Sequence, residues 1–302
     1  MRARSQGLTD ADVLDAVGVD RTVVRTWLMR GTIHLVDTAD VRWLVALFGP
    51  AVARQFATRL RQIGLTPSYL ARCERALPQI LADGPRTRAE VVAGLAERGI
   101  PMNFADPQAR MYVLLHASCL GLVCRAADRG RTATFAMLDD WVPSAPVGPR
   151  GDDALAELAR RYFRAYSPAT AADFATWSGL AAGQAIELIR DELTPIDVYG
   201  RAGFRLGEVE PARGLRLLPA FDNYLIGYKH RGFIDDARRP EVYVGGLIRP
   251  TVLLDGRVVG RWQLINKTHA DVTLFEDLSA ANRRELDREI ADVSKFLEGG
   301  RG

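Results

Sequence analysis

Arg30, Thr32 and His34 stand two residues apart within RTWLMRGTIHLV, residues 25–36. Side chains two apart on a β-strand share a face. A strand here therefore presents a guanidinium, a hydroxyl and an imidazole together, away from Ile33 and Leu35. Arginine can grip a phosphate or a guanine edge through two parallel hydrogen bonds. The plainer alternative is a solvated strand face on which His34 only bonds to backbone. Other basic groups gather at turns. Arg125, Arg129 and Arg131 surround Asp128-Arg129-Gly130, and Arg201 and Arg205 flank a second glycine-rich turn. Lys229, His230 and Arg231 follow Tyr228 as a basic tip. Gln108 and Arg110 belong to the first turn of a helix whose polar side carries His116 further along. All of these suit phosphate contact, although exposed turns are often charged for solubility alone. Asp222, before Asn-Tyr, reads as a turn former, and Phe221, Tyr224 and Tyr228 read as core. No Ser-His-Asp constellation, P-loop, H-E-x-x-H or G-x-G-x-x-G occurs, no metal site is expected, and the residues call for no cofactor.

The elements that would position these groups repeat. In 84–142, Thr87-x-x-Glu90 is a capping box that opens a helix with Val91, Val92 and Leu95 at helical spacing. Asp106-Pro107 reads as the start of a second helix, with Pro at its first position. A short strand at 122–125 and an alternating strand at 132–137 then complete a helix-turn-helix with a wing. The same order returns at 152–207, with a short helix from Thr170 to Trp177 ended by Gly179, and with Ile186, Ile189 and Leu193 on a third helix. A shorter copy opens the chain: Thr9-x-x-Asp12 caps a helix, Arg21–Met29 reads as a second helix, and a strand follows over Thr32–Val36. After Gly214 the pattern turns β-rich, with Asp255-Gly256 as a hairpin turn, until an amphipathic helix near Ala280–Leu297. The implied domains are a partial first winged helix (1–48), a helical connector (49–83), a second winged helix (84–142), a third (152–212) and a β-rich domain with a terminal helix (213–302).

Bulk composition narrows the function classes only a little. At 302 residues, the chain suits several modules rather than one small core. No run approaches the roughly 18 apolar residues of a membrane span. The first twenty residues carry six charges and no apolar block, so a cytoplasmic protein without a membrane partner is expected. Cys73, Cys119 and Cys124 lack C-x-x-C spacing and read as buried thiols. The net charge is only +3, yet 37 of the 40 cations are Arg. That enrichment fits phosphate and base recognition, and it equally fits a genome that favours Arg codons.

Four stretches carry a family likeness: RTWLMRGTIHLV, ADFATWSGL (172–180), LLPAFDNYLIGYKHR (217–231) and RPTVLLDGRVVGRW (249–262). Together, and in this order, they resemble the winged-helix DNA glycosylases of the AlkZ/YcaQ type, which remove alkylated, cross-linked purines from DNA. The resemblance implies an α+β protein: tandem winged-helix (helix-turn-helix) domains in a C-shape, then a C-terminal β-barrel-like domain. It implies double-stranded DNA, alkylated or cross-linked, as partner, with Arg30, Thr32 and His34 lining the DNA-facing concavity.

The family's catalytic Gln-x-Gln or Gln-x-Asp lies upstream of the first motif. A purine alkylated at N7 is already a good leaving group, and such a pair positions a water and stabilises an oxocarbenium-like sugar. Here the residues before that motif are MRARSQGLTDADVLDAVGVD. The seven glutamines are Gln6, Gln55, Gln62, Gln79, Gln108, Gln184 and Gln263, and none is followed two residues later by Gln, Asp or Glu. The expectation is a DNA-binding protein that resembles a glycosylase, has no identified catalytic residue and is inactive as this chain stands. The alternative is a non-enzymatic winged-helix regulator or architectural protein.

Overall fold

The computed structural model describes residues 2–266 and 268–298. The chain divides into two compact units, one of residues 14–157 and one in which the N-terminal segment to Val13 joins the chain from Leu158 onward.

In the first unit the order is α1 (Asp10–Gly18), β1 (Val23–Trp27), β2 (Ile33–Asp37), α2 (Val41–Gln62), α3 (Pro67–Ile80), β3 (Arg86–Thr87), α4 (Arg88–Glu97), α5 (Ala109–Cys119), β4 (Val123–Arg125), β5 (Thr134–Met137) and α6 (Leu138–Trp141). The helix expected over Arg21–Met29 is instead β1, paired antiparallel with β2 from Val23↔Asp37 to Trp27↔Ile33. Val23, Val24, Thr26 and Trp27 are β-branched or aromatic residues, and a pairing partner six residues on outweighs any helical reading of so short a run. The two hairpins share a sheet. One five-stranded sheet runs β2-β1-β4-β5-β3, joined at Arg25↔Arg125, so β4 satisfies the edge that β1 would otherwise leave open.

Residues 49–83, expected as a connector, are the end of α2 and all of α3. Both contribute to a single core in which Leu77, Leu95, Leu114 and Phe135 are almost fully buried. The α2–α5 crossing explains Gly49. A Cβ there would lie 2.0 Å from the carbonyl oxygen of Cys119, so only glycine lets these backbones touch. The second helix starts at Ala109 rather than at Pro107, because the Asp106 carboxylate accepts from Gln108 N at 2.7 Å and holds a turn there.

The second unit comprises α7 (Gly151–Tyr166), α8 (Ala171–Ser178), α9 (Ala182–Glu187), β6 (Thr194–Asp197), β7 (Ala202–Arg205), β8 (Leu215–Leu218), α10 (Asn223–Ile226), α11 (Arg239–Val242), β9 (Tyr243–Val244), β10 (Leu247–Ile248), β11 (Thr251–Leu254), β12 (Arg257–Ile265), β13 (His269–Leu274) and α12 (Ala280–Glu298). Thr170 and Asp173 form a reciprocal capping box on α8, and Gly179 ends it at φ 75°. Asp255 and Gly256 both take positive φ between β11 and β12, as a two-residue hairpin demands.

The expected C-terminal barrel-like domain is not what the described residues form. They make an open antiparallel sheet, β13-β12-β11-β8, and four strands are too few to close around a core. Instead α12 covers one face, bringing Leu286 and Val293 against Leu217, Val252, Val259 and Trp262. The N-terminal segment is stitched into this unit. Arg2 reaches Asp292 at 2.8 Å and the Leu217 carbonyl at 2.7 Å. No helix among the described residues is long and apolar enough to cross a membrane.

Candidate nucleic-acid interface

The expected Arg30–Thr32–His34 strand face is a hairpin end. Arg30 lies in the turn between β1 and β2 with φ 58°, and Gly31 follows at φ 72° against the ring of Phe56. Thr32 and His34 do meet. The Thr32 hydroxyl lies 3.1 Å from the Met29 carbonyl and 2.8 Å from His34 Nε2. A hydroxyl has one proton, so Thr32 donates to Met29 and accepts from His34 Nε2–H. This assignment leaves Nδ1 as the acceptor. Burial pushes the imidazole pKa down, the Met29 carbonyl opposes that shift, and the nearby Arg30 charge adds to it. His34 therefore offers a hydrogen bond rather than a cation at neutral pH. Gln55 of α2 joins this turn, its amide 3.4 Å from the Arg30 carbonyl. Sequence reading missed it. No local signal marks it, because the contact joins α2 to a turn 25 positions upstream.

The three arginines of the β4–β5 turn separate into different roles. Arg125 Nη2 and Arg25 Nη1 hold the two oxygens of Asp128 at 3.0 and 3.1 Å. Burial works to raise the Asp128 carboxyl, but the Arg125 and Arg25 hydrogen bonds outweigh it and keep it below the usual range. Arg129 reaches Glu90 at 2.7 Å and the Pro85 carbonyl at 3.1 Å. The Thr87 main-chain N–H, with help from Arg129, holds Glu90 down to about 2. Arg131 is exposed. Arg110 lines a cleft of about 470 Å³ that Thr132, the neighbour of Arg131, also lines. Gln108 occupies the position before α5 without a side-chain capping bond and is exposed. His116 points elsewhere, 3.1 Å from Glu74 and largely buried.

In the second unit Asp173 organises the basic tip. This carboxylate is nearly inaccessible, pairs with no cation among the described residues, and accepts from Thr170 N and Oγ1 at 2.8 and 2.7 Å. It also accepts from Lys229 N at 2.7 Å and His230 N at 3.4 Å. The backbone of the tip is thereby pinned while the Lys229 side chain stays exposed. Arg231 is already occupied, its guanidinium 3.7 Å over the Tyr243 ring. Arg205 donates to the Gly207 carbonyl, whereas Arg201 donates to Tyr199 O at 3.1 Å and, with His230, lines a cleft of about 900 Å³.

Two readings of the FDNY stretch come out differently. Asp222 caps α10, accepting from Tyr224 N at 2.8 Å, and takes both of its oxygens to Arg4 at 2.7 and 2.6 Å. Phe221 is not core. It is 50% exposed with φ 56°, because the chain must turn left-handed to enter the Asp222 cap.

One further surface stands out. The long β12–β13 hairpin, paired from Gly260↔Leu274 to Ile265↔His269, leaves Leu264 and Ile265 uncovered near its end, 45% and 41% exposed. The three cysteines are buried thiols, as expected, and burial raises Cys73 and Cys119 to about 11 and Cys124 to about 12.

Known proteins share this arrangement. The chain is 29% identical to an interstrand DNA cross-link repair glycosylase of Streptomyces sahachiroi, over 97% of this chain and 84% of that protein. Its structure resembles the solved Streptomyces sahachiroi DNA glycosylase AlkZ with a TM-score of 0.78 at 27% identity, over 94% of this chain and 81% of that one. The family model described as DNA glycosylase AlkZ-like matches residues 1–296, and the chain therefore belongs to the AlkZ-like DNA glycosylase family.

Proposed function

We propose that this protein binds double-stranded DNA, with alkylated or cross-linked duplexes as its targets. The observation that carries this reading is the extent of the likeness to a cross-link repair glycosylase, which runs through nearly the whole chain rather than one motif.

Element order supports a tandem winged-helix reading. α3-β3-α4-α5-β4-β5 follows the helix–strand–helix–helix–ribbon plan, with β3 paired to β5. α7, the Ala169–Phe204 bridge, α8, α9, β6 and β7 repeat it. Wings of this kind place basic groups against phosphates. Arg110, Arg131 and Lys229 serve that purpose, with Arg30, Thr32, His34 and Gln108 as further contacts. The exposed Leu264–Ile265 pair suits a β-ribbon that enters a groove and wedges an apolar side chain between bases.

Catalysis is a separate matter. All seven glutamines are on the surface, and none has a Gln, Asp or Glu two residues on. The 302-residue polypeptide therefore binds without excising, a property it would share with a non-enzymatic winged-helix binder. Incubating it with duplex DNA carrying N7-methylguanine separates the readings. Retention of the duplex with base release no faster than spontaneous depurination is the expected result. Rapid release that is lost in His34→Ala or Gln55→Ala would show that the chemistry resides in the β1–β2 turn.

A further inference from the structure

The cleft of about 470 Å³ beside Arg110 has an apolar floor. Val92 from α4 and Met111 from α5 line it with Ala133 and Phe135. All four belong to the first unit's core or pack against it. Val92, Met111 and Ala133 are only half-buried, so the core lies open along this line. The volume falls within the roughly 300–1,000 Å³ of pockets that hold an organic group. A phosphate gains nothing from such a floor, because a charge set against apolar side chains loses water without a replacement.

Charge at the rim is one-sided. Arg88 and Arg110 line the cleft, and among the described residues no carboxylate does. Both arginines are exposed, and neither engages a carboxylate among the described residues. The nearby Glu90 is already committed, accepting from Thr87 N at 2.6 Å and from Arg129 at 2.7 Å. Asp83 lies 3.4 Å from Arg86. An apolar floor under two available cations is the arrangement of an anchor pocket with a polar rim. Its complement carries one large apolar group flanked by negative charge. A nucleobase fits less well, since its edge is lined with hydrogen-bonding groups that the four floor side chains do not answer.

We propose that this cleft docks an acidic peptide segment of a partner protein. One apolar side chain of the peptide sits on Val92, Met111 and Phe135, and its carboxylates pair with Arg88 and Arg110 through charge-assisted hydrogen bonds. The inference does not rest on duplex binding, because Arg88 and Ala89, which carry its test, have no part in that reading.

The test is fluorescence anisotropy of the full chain with a labelled peptide, Asp-Glu-Asp-Phe-Asp-Glu, against the same peptide with Ser in place of Phe. The Phe peptide should bind about tenfold more tightly, the order expected when one large apolar group is buried. Two variants locate the contact. Ala89 is exposed and lines the cleft, so Ala89→Trp should fill it and abolish the preference for Phe. Arg88→Ala should weaken the Phe peptide severalfold and reduce the salt dependence of its binding. Both changes are on the surface, so the melting temperature should hold. No binding of the Phe peptide, equal affinity for the two peptides, or binding that neither variant alters would overturn the proposal. A single-stranded oligonucleotide serves as the rival ligand. If it binds in an Ala89→Trp-sensitive manner while the Phe peptide does not bind, the cleft is a base pocket and the proposal fails.

Discussion

His34 shows how a side chain of the right type can take a different chemical role from the one its formula suggests. Its Nε2–H is committed to Thr32 and its pKa is pushed down by burial. The unfolded chain therefore binds a proton more readily than the folded one, and acidification favours unfolding. Stability should fall as pH drops through the ordinary imidazole range near ~6.5. Urea melts across that range should show the slope, and His34→Gln should flatten it. Arg125 and Arg131 make the parallel case for arginine. Arg125 is largely buried on Asp128, so Arg125→Ala should cost about 1–2 kcal/mol of stability and leave the salt dependence of DNA binding nearly unchanged. Arg131→Ala should do the reverse, lowering the slope of log K against log salt by about 1. Equal slopes for the two variants would place Arg131 off the DNA.

At the scale of elements, the β12–β13 hairpin gives the sharpest test. Replacing Leu264 and Ile265 together by Ser should change stability by less than about 0.5 kcal/mol, because both are exposed. It should weaken duplex binding about tenfold if the ribbon wedges bases. Undiminished affinity would remove the hairpin from the interface.

The elements also show what the sequence made legible. Capping boxes at Thr87–Glu90 and Thr170–Asp173, the Gly179 stop and the Asp255-Gly256 turn all appear where local rules put them, because each is a bargain among neighbours. β1 is a strand where local sequence suggests a helix, because its strand character comes from pairing with β2 and β4. The merging of two hairpins into one sheet is likewise long-range. So are the Arg4–Asp222 pair across 218 positions and the Arg25–Arg125–Asp128 clamp. No residue spacing announces such contacts. Basic candidates were therefore found by type, while their availability depended on partners far away in the chain.

At the scale of the whole molecule, we propose that this Arg-rich member of the AlkZ-like family holds duplex DNA through the cations that remain exposed after folding, Arg110, Arg131 and Lys229 among them. Many of its 37 arginines are committed to carboxylates, carbonyls or rings, so the net charge of +3 says little about where DNA lies. The most direct measurement is fluorescence anisotropy of a labelled blunt duplex titrated with the full chain over a series of salt concentrations. The account predicts tight binding at low salt, with log K falling linearly against log salt at about −0.9 per phosphate neutralised. No affinity at low salt, or an affinity that does not respond to salt, would contradict it.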